Sequence, residues 1–326
     1  MGGVFFAPVS DLSPAAQTQL AHFVRPPGLP AALAVRALVR ALVALGHGGR
    51  AGAASFVGRM AHGLGIRRAV TEDNLRQAYP EWSGAEVRRV ARDAYVNMAR
   101  AVLDAITSPE LSDAEASTML LDGPGADAFF EAARSGKGAI LATAHFGSWE
   151  LLGDLLLRRG VPLSAVVRPL SGALNGRIVE ARLRSGMQLI HPRGAIASVC
   201  RALEQGRVVA VLPDQVVPAD KGVFVPFFGR QASTAPALAV AAVRTGAPVF
   251  VGCAHRVDHR ISFSSLPPLY APDTGDERAD VATLMARVTL GIEQHIRSRP
   301  EQWLWLHRRW KVAPPATAQV LSIPTP

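Results

Sequence analysis

Cysteine is nearly missing from this chain of 326 residues, which holds two, Cys200 and Cys253. Two so far apart make no disulfide framework. No Cys-x-x-Cys pair exists either, which excludes zinc ribbons and thioredoxin-type redox chemistry. Such sparse use of cysteine reads as a reducing, cytoplasmic compartment. Met1 to Ser10 carries no Lys or Arg, so the positive n-region of a secretory signal is absent. The start Met1-Gly2-Gly3-Val4-Phe5-Phe6 also lacks the Ser or Thr that myristoylation needs at the sixth position. A long unbroken apolar run is missing as well. The best stretch, Leu29 to Leu45, is interrupted by Arg36 and Arg40. A spanning helix needs roughly 20 apolar residues, and a central Arg costs about 2.5–3.5 kcal/mol on insertion scales.

Several catalytic signatures are lacking too. No serine has glycine at both −2 and +2, so there is no nucleophile elbow. No His-Glu-x-x-His motif occurs and the histidines show no metal-ligand spacing, so no metal is expected. Gly136-Lys137 is followed by Gly138, where a P-loop requires Ser or Thr, and no Gly-x-Gly-x-x-Gly follows a strand. Base catalysis by histidine, with no cofactor, survives this elimination.

Among what is present, 49% of residues are apolar, enough for a sizeable core. Lys and Arg number 35 against 26 Asp and Glu, a formal charge of +9, with a pI near 10.6 and a mean hydropathy of +0.17. Such a balance points to an anionic partner: nucleic acid, a phospholipid surface or an acidic carrier. The hydropathy favours a membrane surface. The basic residues are dispersed and no recognition motif appears, so nucleic acid is not expected. On a helical wheel Arg36, Arg40 and His47 share one narrow stripe of an otherwise apolar helix, as in a helix lying in a membrane interface. A helix capping the core fits the same pattern.

Pro26, Pro27, Gly28 and Pro30 set off a short N-terminal tail, and glycines 46, 48, 49 and 52 are expected to break the following helix. From Thr71 to about Ile106 the pattern is helical and charged. Pro80-Glu81-Trp82-Ser83-Gly84 forms a turn, with Ser83 as N-cap. Beyond Pro109 short apolar runs alternate with helical windows. Strands are expected at 139–144, 163–167, 187–190, 208–212 and 249–253, with an edge strand at 260–264. Helices are expected at 149–159, 172–185, 194–205, 234–245 and 276–298. This alternation predicts an α/β fold: a mostly parallel or mixed sheet flanked by helices, with an N-terminal helical segment. The implied division is a helical, membrane-proximal segment over 1–110, an α/β domain over 111–313 and a loose tail over 314–326.

Reactive groups in such a sheet gather beyond the carboxyl ends of the strands. His145 is the first residue off the strand at 139–144, Gly147 permits a reversal, Ser148 can cap the next helix, and Glu150 lies in its first turn. A carboxylate beside an imidazole makes a general base. A polar strand end with Glu150 as a helix-dipole partner accounts for the same residues. Asp214 and Gln215 end another strand at the same crevice. Phe227 and Phe228 fit either an apolar channel or a hydrophobic plug. Arg168 ends a third strand, where it suits a phosphate or carboxylate, or simply a salt bridge. Trp303-Leu304-Trp305-Leu306-His307-Arg308-Arg309-Trp310-Lys311 suits a headgroup region or a packed core with a basic edge.

Together these blocks resemble the late lipid A acyltransferases, the lauroyl/myristoyl transferases of the lysophospholipid-type acyltransferase superfamily. The matching pieces are AHFGSWEL at 144–151, VVRP at 166–169, LPDQ at 212–215, GVFVPFFG at 222–229, Thr234, TGAPV at 245–249 and WLWLHRRWK at 303–311. They stand in the family's order across about residues 70–312. Glu72-Asp73-Asn74-Leu75-Arg76 with Tyr79-Pro80 fits as well. The related mannoside acyltransferases tend to carry Arg where this chain has Gln215. The resemblance implies fatty acyl transfer from acyl-carrier protein or acyl-CoA to a hydroxyl of a lipid A precursor, an anionic glycolipid, without a covalent intermediate. The alternatives are another glycolipid or lyso-lipid acceptor, or a catalytically inactive lipid-binding protein. His145 and Glu150 would be catalytic, and Arg168, Asp214, Gln215, Phe227, Phe228 and Thr234 would bind substrate. It also implies the cytoplasmic face of the bacterial inner membrane. The family's usual membrane helix falls on the Arg-interrupted segment, so peripheral or weak anchoring is expected here.

Overall fold

A computed structural model describes residues 12–24, 29–169 and 172–315. Three segments of the sequence reading therefore fall outside: most of the proline-rich separator at 26–28, the extreme N-terminus, and the tail beyond Pro315.

Helix α1 (Pro14–Phe23) is followed by α2 (Leu29–Ala44) and α3 (Gly46–Gly63), then α4 (Arg68–Ala78) and α5 (Gly84–Thr107). The glycines do not break the helix as expected. Only Gly46, at φ 62°, sits at a break, while Gly48, Gly49 and Gly52 lie inside α3. His47 therefore belongs to a different helix from Arg36 and Arg40, and the single basic stripe does not exist. The small residues of α3 serve close packing instead. Ala54 and Gly58, one turn apart, are buried, and a Cβ at Gly58 would collide with the backbone of Tyr95 and Val96 in α5. Helix α5 starts in a capping box, with Ser83 and Glu86 each bonding the other's backbone amide. A second box, Ser112 with Glu115, starts α6 (Asp113–Met119).

The sheet holds seven strands in the order β1-β9-β8-β2-β5-β3-β4. They are β1 (Leu120–Asp122), β2 (Ala139–Ala142), β3 (Leu163–Val166), β4 (Gln188–Ile190), β5 (Val208–Val211), β8 (Val249–Val257) and β9 (Arg260–Ser265). Every pairing is parallel except β8 with β9. The strand at 260–265 is not the edge. It runs between β8 and the short β1, which supplies the edge on that side. The connections are α7 (Ala126–Arg134), α8 (Trp149–Arg158), α9 (Ala173–Arg184), α10 (Ala195–Glu204) and α11 (Ala237–Thr245), and α12 (Glu277–Ser298) follows the last strand. The central strands are buried on both faces, as a sheet covered by helices requires. Leu75, Val87 and Val90 of α4 and α5 share one apolar cluster with Ile140, Val249 and Val288.

A separate antiparallel hairpin joins β6 (Val223–Phe227) to β7 (Arg230–Thr234). Its two-residue loop, Phe228-Gly229, has φ of 50° and 70°, the positive pair that matches strand twist.

Candidate active site

Strands β2 and β5 are parallel neighbours with Ala142 paired to Val211. His145 and Asp214 lie at equal distances beyond those partners, so the register alone brings them level at the carboxyl edge. His145 Nδ1 is 2.8 Å from Asp214 Oδ1, and the His145 backbone amide donates to Oδ2 at 2.8 Å. A carboxylate only accepts, so Nδ1 carries the proton and the Nε2 lone pair faces outward. The Gln215 side-chain nitrogen lies 3.3 Å from that Nε2. Asp214 is buried, and a third donor, the Trp303 indole, reaches its Oδ2 at 2.9 Å. Burial alone would raise the Asp214 pKa, but His145 and these donors hold it at about 2. Burial also pulls His145 down. The Asp214 charge, aided by Glu150, outweighs that, and His145 is raised above its ordinary 6.5.

The carboxylate in contact with His145 is thus Asp214, where the sequence suggested Glu150. Glu150 faces Arg182, whose Nε donates at 2.9 Å and whose Nη2 also binds it, and it accepts the Trp149 indole at 3.1 Å. Burial pushes Glu150 up, but Arg182 outweighs burial and leaves it below the usual carboxylate range. Glu150 therefore reaches His145 through its field. Ser148 occupies the N-cap position of α8 without a side-chain capping bond. Its hydroxyl donates to Asp104 at 2.5 Å instead.

The loop after His145 is tied down by a segment remote in sequence. Gly147 donates to Gln302 O at 2.8 Å, and Leu304 donates to His145 O at 3.1 Å. Gly147 has φ 56°, and any Cβ there would overlap the Ala254 carbonyl. The amides of His145, Phe146 and Gly147 are all spent on Asp214, Ala144 and Gln302. They are therefore unavailable as donors to an oxyanion.

The remaining expected residues are distributed unevenly. Arg168 is exposed beyond the end of β3. Thr234 is buried in the hairpin, where its hydroxyl donates to Ala232 O at 3.0 Å and accepts from Arg309 at 2.5 Å. Phe227 and Phe228 are buried against Trp303, Trp305, Trp310 and Tyr79. The C-terminal Trp/Arg cluster is core, with Trp303, Trp305 and Arg309 among the largest fully buried side chains. The Arg309 guanidinium lies over the Phe227 ring at 5.2 Å, and burial lowers its pKa to about 10.

Sequence reasoning missed Trp303 as a partner of Asp214, and it missed Arg182. It also missed Asn74 and Asn97. Their amides hold the carbonyls of Trp305, His307 and Gln302 at 2.7, 2.7 and 3.0 Å, fixing the C-terminal segment over the site. Asn74 carried a signal only through its block, and Trp303 through the C-terminal one. No local pattern pairs residue 214 with residue 303.

The family model described as bacterial lipid A biosynthesis acyltransferase matches residues 23–312. The chain belongs to that family. As a member, it is similar to the lipid A biosynthesis palmitoleoyltransferase of Escherichia coli K12, at 25% identity over 76% of this chain and 80% of the relative. The lauroyltransferase of the same organism is 27% identical over 79% of this chain and 84% of its own length. A phosphatidylinositol mannoside acyltransferase of Mycobacterium tuberculosis is 26% identical over 57% of this chain and 58% of its own. Membership makes the chain an enzyme of acyl transfer, and the His145–Asp214 pair at the carboxyl edge of the sheet is the candidate site for it.

Proposed function

We propose that this acyltransferase moves a fatty acyl chain from a thioester donor, acyl-carrier protein or acyl-CoA, to a hydroxyl of a lipid A precursor. The observation that carries the reading is the His145–Asp214 hydrogen bond at 2.8 Å, with Nε2 directed away from it. Nε2 takes the proton of the acceptor hydroxyl as its oxygen attacks the thioester carbonyl carbon. Asp214 holds the tautomer and stabilises the imidazolium. The tetrahedral oxyanion collapses, the carbon–sulfur bond breaks, and the leaving thiolate recovers the proton from His145. No acyl-enzyme is needed. The Gln215 amide, beside Nε2, is the side-chain donor best placed for the oxyanion. Arg168, exposed at the same sheet edge, would meet an anionic group of either substrate.

The protein meets its acceptor at a membrane surface. Among the described residues no helix is long and apolar enough to cross a membrane. Phe56, Val57 and Met60 of α3, followed by Leu64 and Ile66, nevertheless stand exposed as one apolar ridge. Peripheral association through this ridge at the cytoplasmic face of the inner membrane accounts for them.

The test is turnover of purified protein with acyl-carrier protein or acyl-CoA donors, paired with mass spectrometry of lipids from cells with and without the gene. His145→Ala should fold and lose at least the 10²–10⁴-fold (order of magnitude) typical of a general base. Near wild-type turnover in that variant would remove His145 from the mechanism. Altered phospholipid or mannoside species, with lipid A unchanged, would reassign the acceptor.

A further inference from the structure

A polar cavity whose lining includes neither His145 nor Asp214 lies between the start of α3, the end of α5 and the β8–β9 turn. It has a volume of about 390 Å³ and presents Arg50, Arg100 and Arg256 with His47 and His259. The acidic residues on its wall are Asp104 and Asp258. Asp104 is already engaged, because Arg256 and the Ser148 hydroxyl both bind it. Arg256 is 9% exposed, and its Nε has no hydrogen-bond partner. The Nε of Arg100 is likewise buried without one, and no ion pair forms at Arg100 among the described residues. The two guanidiniums repel, and burial together with the Arg256 charge weakens protonation of Arg100. Leu103, Leu111 and Leu151 line the same cavity, and Thr107 and Ser108 are its neutral hydroxyl residues.

Cations with unused donors, crowded in one cavity, are costly unless an anion completes them. Guanidinium forks match the oxygens of a phosphate in particular. We propose that this cavity binds a phosphate monoester, one carried on a lipid headgroup. The lipid source follows from position. His47 and Arg50 lie at the start of the helix whose next turns expose Phe56, Val57 and Met60. A surface that buried that ridge would hold its headgroups level with the cavity mouth. The floor contact between Arg256 and Ser148 links the cavity to the first residue before α8, three positions from His145. A phosphorylated lipid seated here would lie alongside the proposed acyl-transfer site without using its residues.

The test uses the full chain with two probes: inorganic phosphate by calorimetry, and phosphatidylcholine vesicles carrying phosphatidic acid or phosphatidylglycerol at matched surface charge, by flotation. The wild type should bind phosphate and prefer the phosphatidic acid vesicles. Arg100→Gln should weaken both by about tenfold, as expected for loss of a charged hydrogen-bond donor, with the melting temperature unchanged or raised. Arg50→Gln, at the mouth, gives the same readout should Arg100→Gln fail to fold. Arg134→Gln on α7 is the charge control. Phosphate binding that depends on Arg100 without a vesicle preference would keep the phosphate chemistry and reassign its source to a soluble ester. Unchanged phosphate affinity and vesicle preference in both cavity variants would overturn the proposal, as would the absence of either binding in the wild type. His145→Ala should retain all of this binding, so failure of the cavity and failure of the acyl-transfer reading are separable.

Discussion

Glu150 and Asp214 are both carboxylates near His145, and each sits in a different electrostatic setting. Asp214 makes the hydrogen bond, so it fixes the tautomer and raises the imidazole pKa. Glu150 is neutralised by Arg182 and contributes a weaker field. A base must be neutral to act, so activity should rise with pH through the raised His145 value. Asp214→Asn removes the charge that raises it and leaves the burial that lowers it. The acid limb of the kcat/KM profile should therefore move to lower pH, while kcat falls by roughly 10²–10⁴-fold through loss of tautomer control. Glu150→Gln should move the limb the same way by less and cost less rate. A larger loss in Glu150→Gln than in Asp214→Asn would reverse these assignments. The sequence made His145 legible because it follows an obvious strand. It pointed to Glu150 because that residue is near in sequence, whereas Asp214 becomes a neighbour only through the pairing of Ala142 with Val211.

Among the elements, the β6–β7 hairpin is the one whose role the sequence left most open. By sequence Phe227 and Phe228 fit either the wall of an apolar channel, a ruler whose shortening would favour longer chains, or a hydrophobic plug. Their rings pack within 4.9 to 6.5 Å (centroid to centroid) of each other and of Trp303, Trp305 and Trp310. A plug in such a cluster contributes through packing: Phe→Ala in a core costs about 3–5 kcal/mol. Phe227→Ala should therefore lower the melting temperature markedly and leave the preference among C10 to C16 donors unchanged. A well-folded variant with its preference moved to longer donors would restore the ruler. Elements with clear periodicity, such as α5 and β2, were readable within a residue or two. Two kinds were not. The three-residue β1 is too short for any alternation to register. Helix α3 is rich in glycine, which local propensity counts against a helix. Its stability comes from the tight approach to α5 at Gly58, a tertiary gain that no local window contains.

For the whole molecule, basic charge and high hydropathy suggested a membrane surface, and the structure changes where that surface would lie. The C-terminal tryptophans that suited a headgroup region are interior, with Trp303 2% and Trp305 0% exposed. Most of the exposed large apolar side chains are at the other end of the chain, at Leu33, Leu38, Val43 and Leu45 on and just after α2 and, most strongly, on the outer face of α3 and the turn after it. Phe56 is 67%, Met60 48% and Leu64 72% exposed. Residues 56, 60 and 64 recur every four positions, so they form one ridge, while Ala54 and Gly58 turn inward onto α5. Fully burying a large apolar side chain is worth about 1.5–3 kcal/mol. Several inserted together give reversible attachment, well short of a spanning helix. Phe56→Asp combined with Met60→Asp should leave the fold intact, because neither side chain supports the core. It should weaken sedimentation with anionic vesicles by tenfold or more, since the double change removes two inserted groups and adds two charges that the lipid surface repels. High salt should weaken binding only in part, and carbonate should release the protein. Unchanged vesicle binding in the double variant would show that the ridge is not the contact surface. Retention through carbonate, with release only in detergent, would require a deeper anchor than any described helix provides.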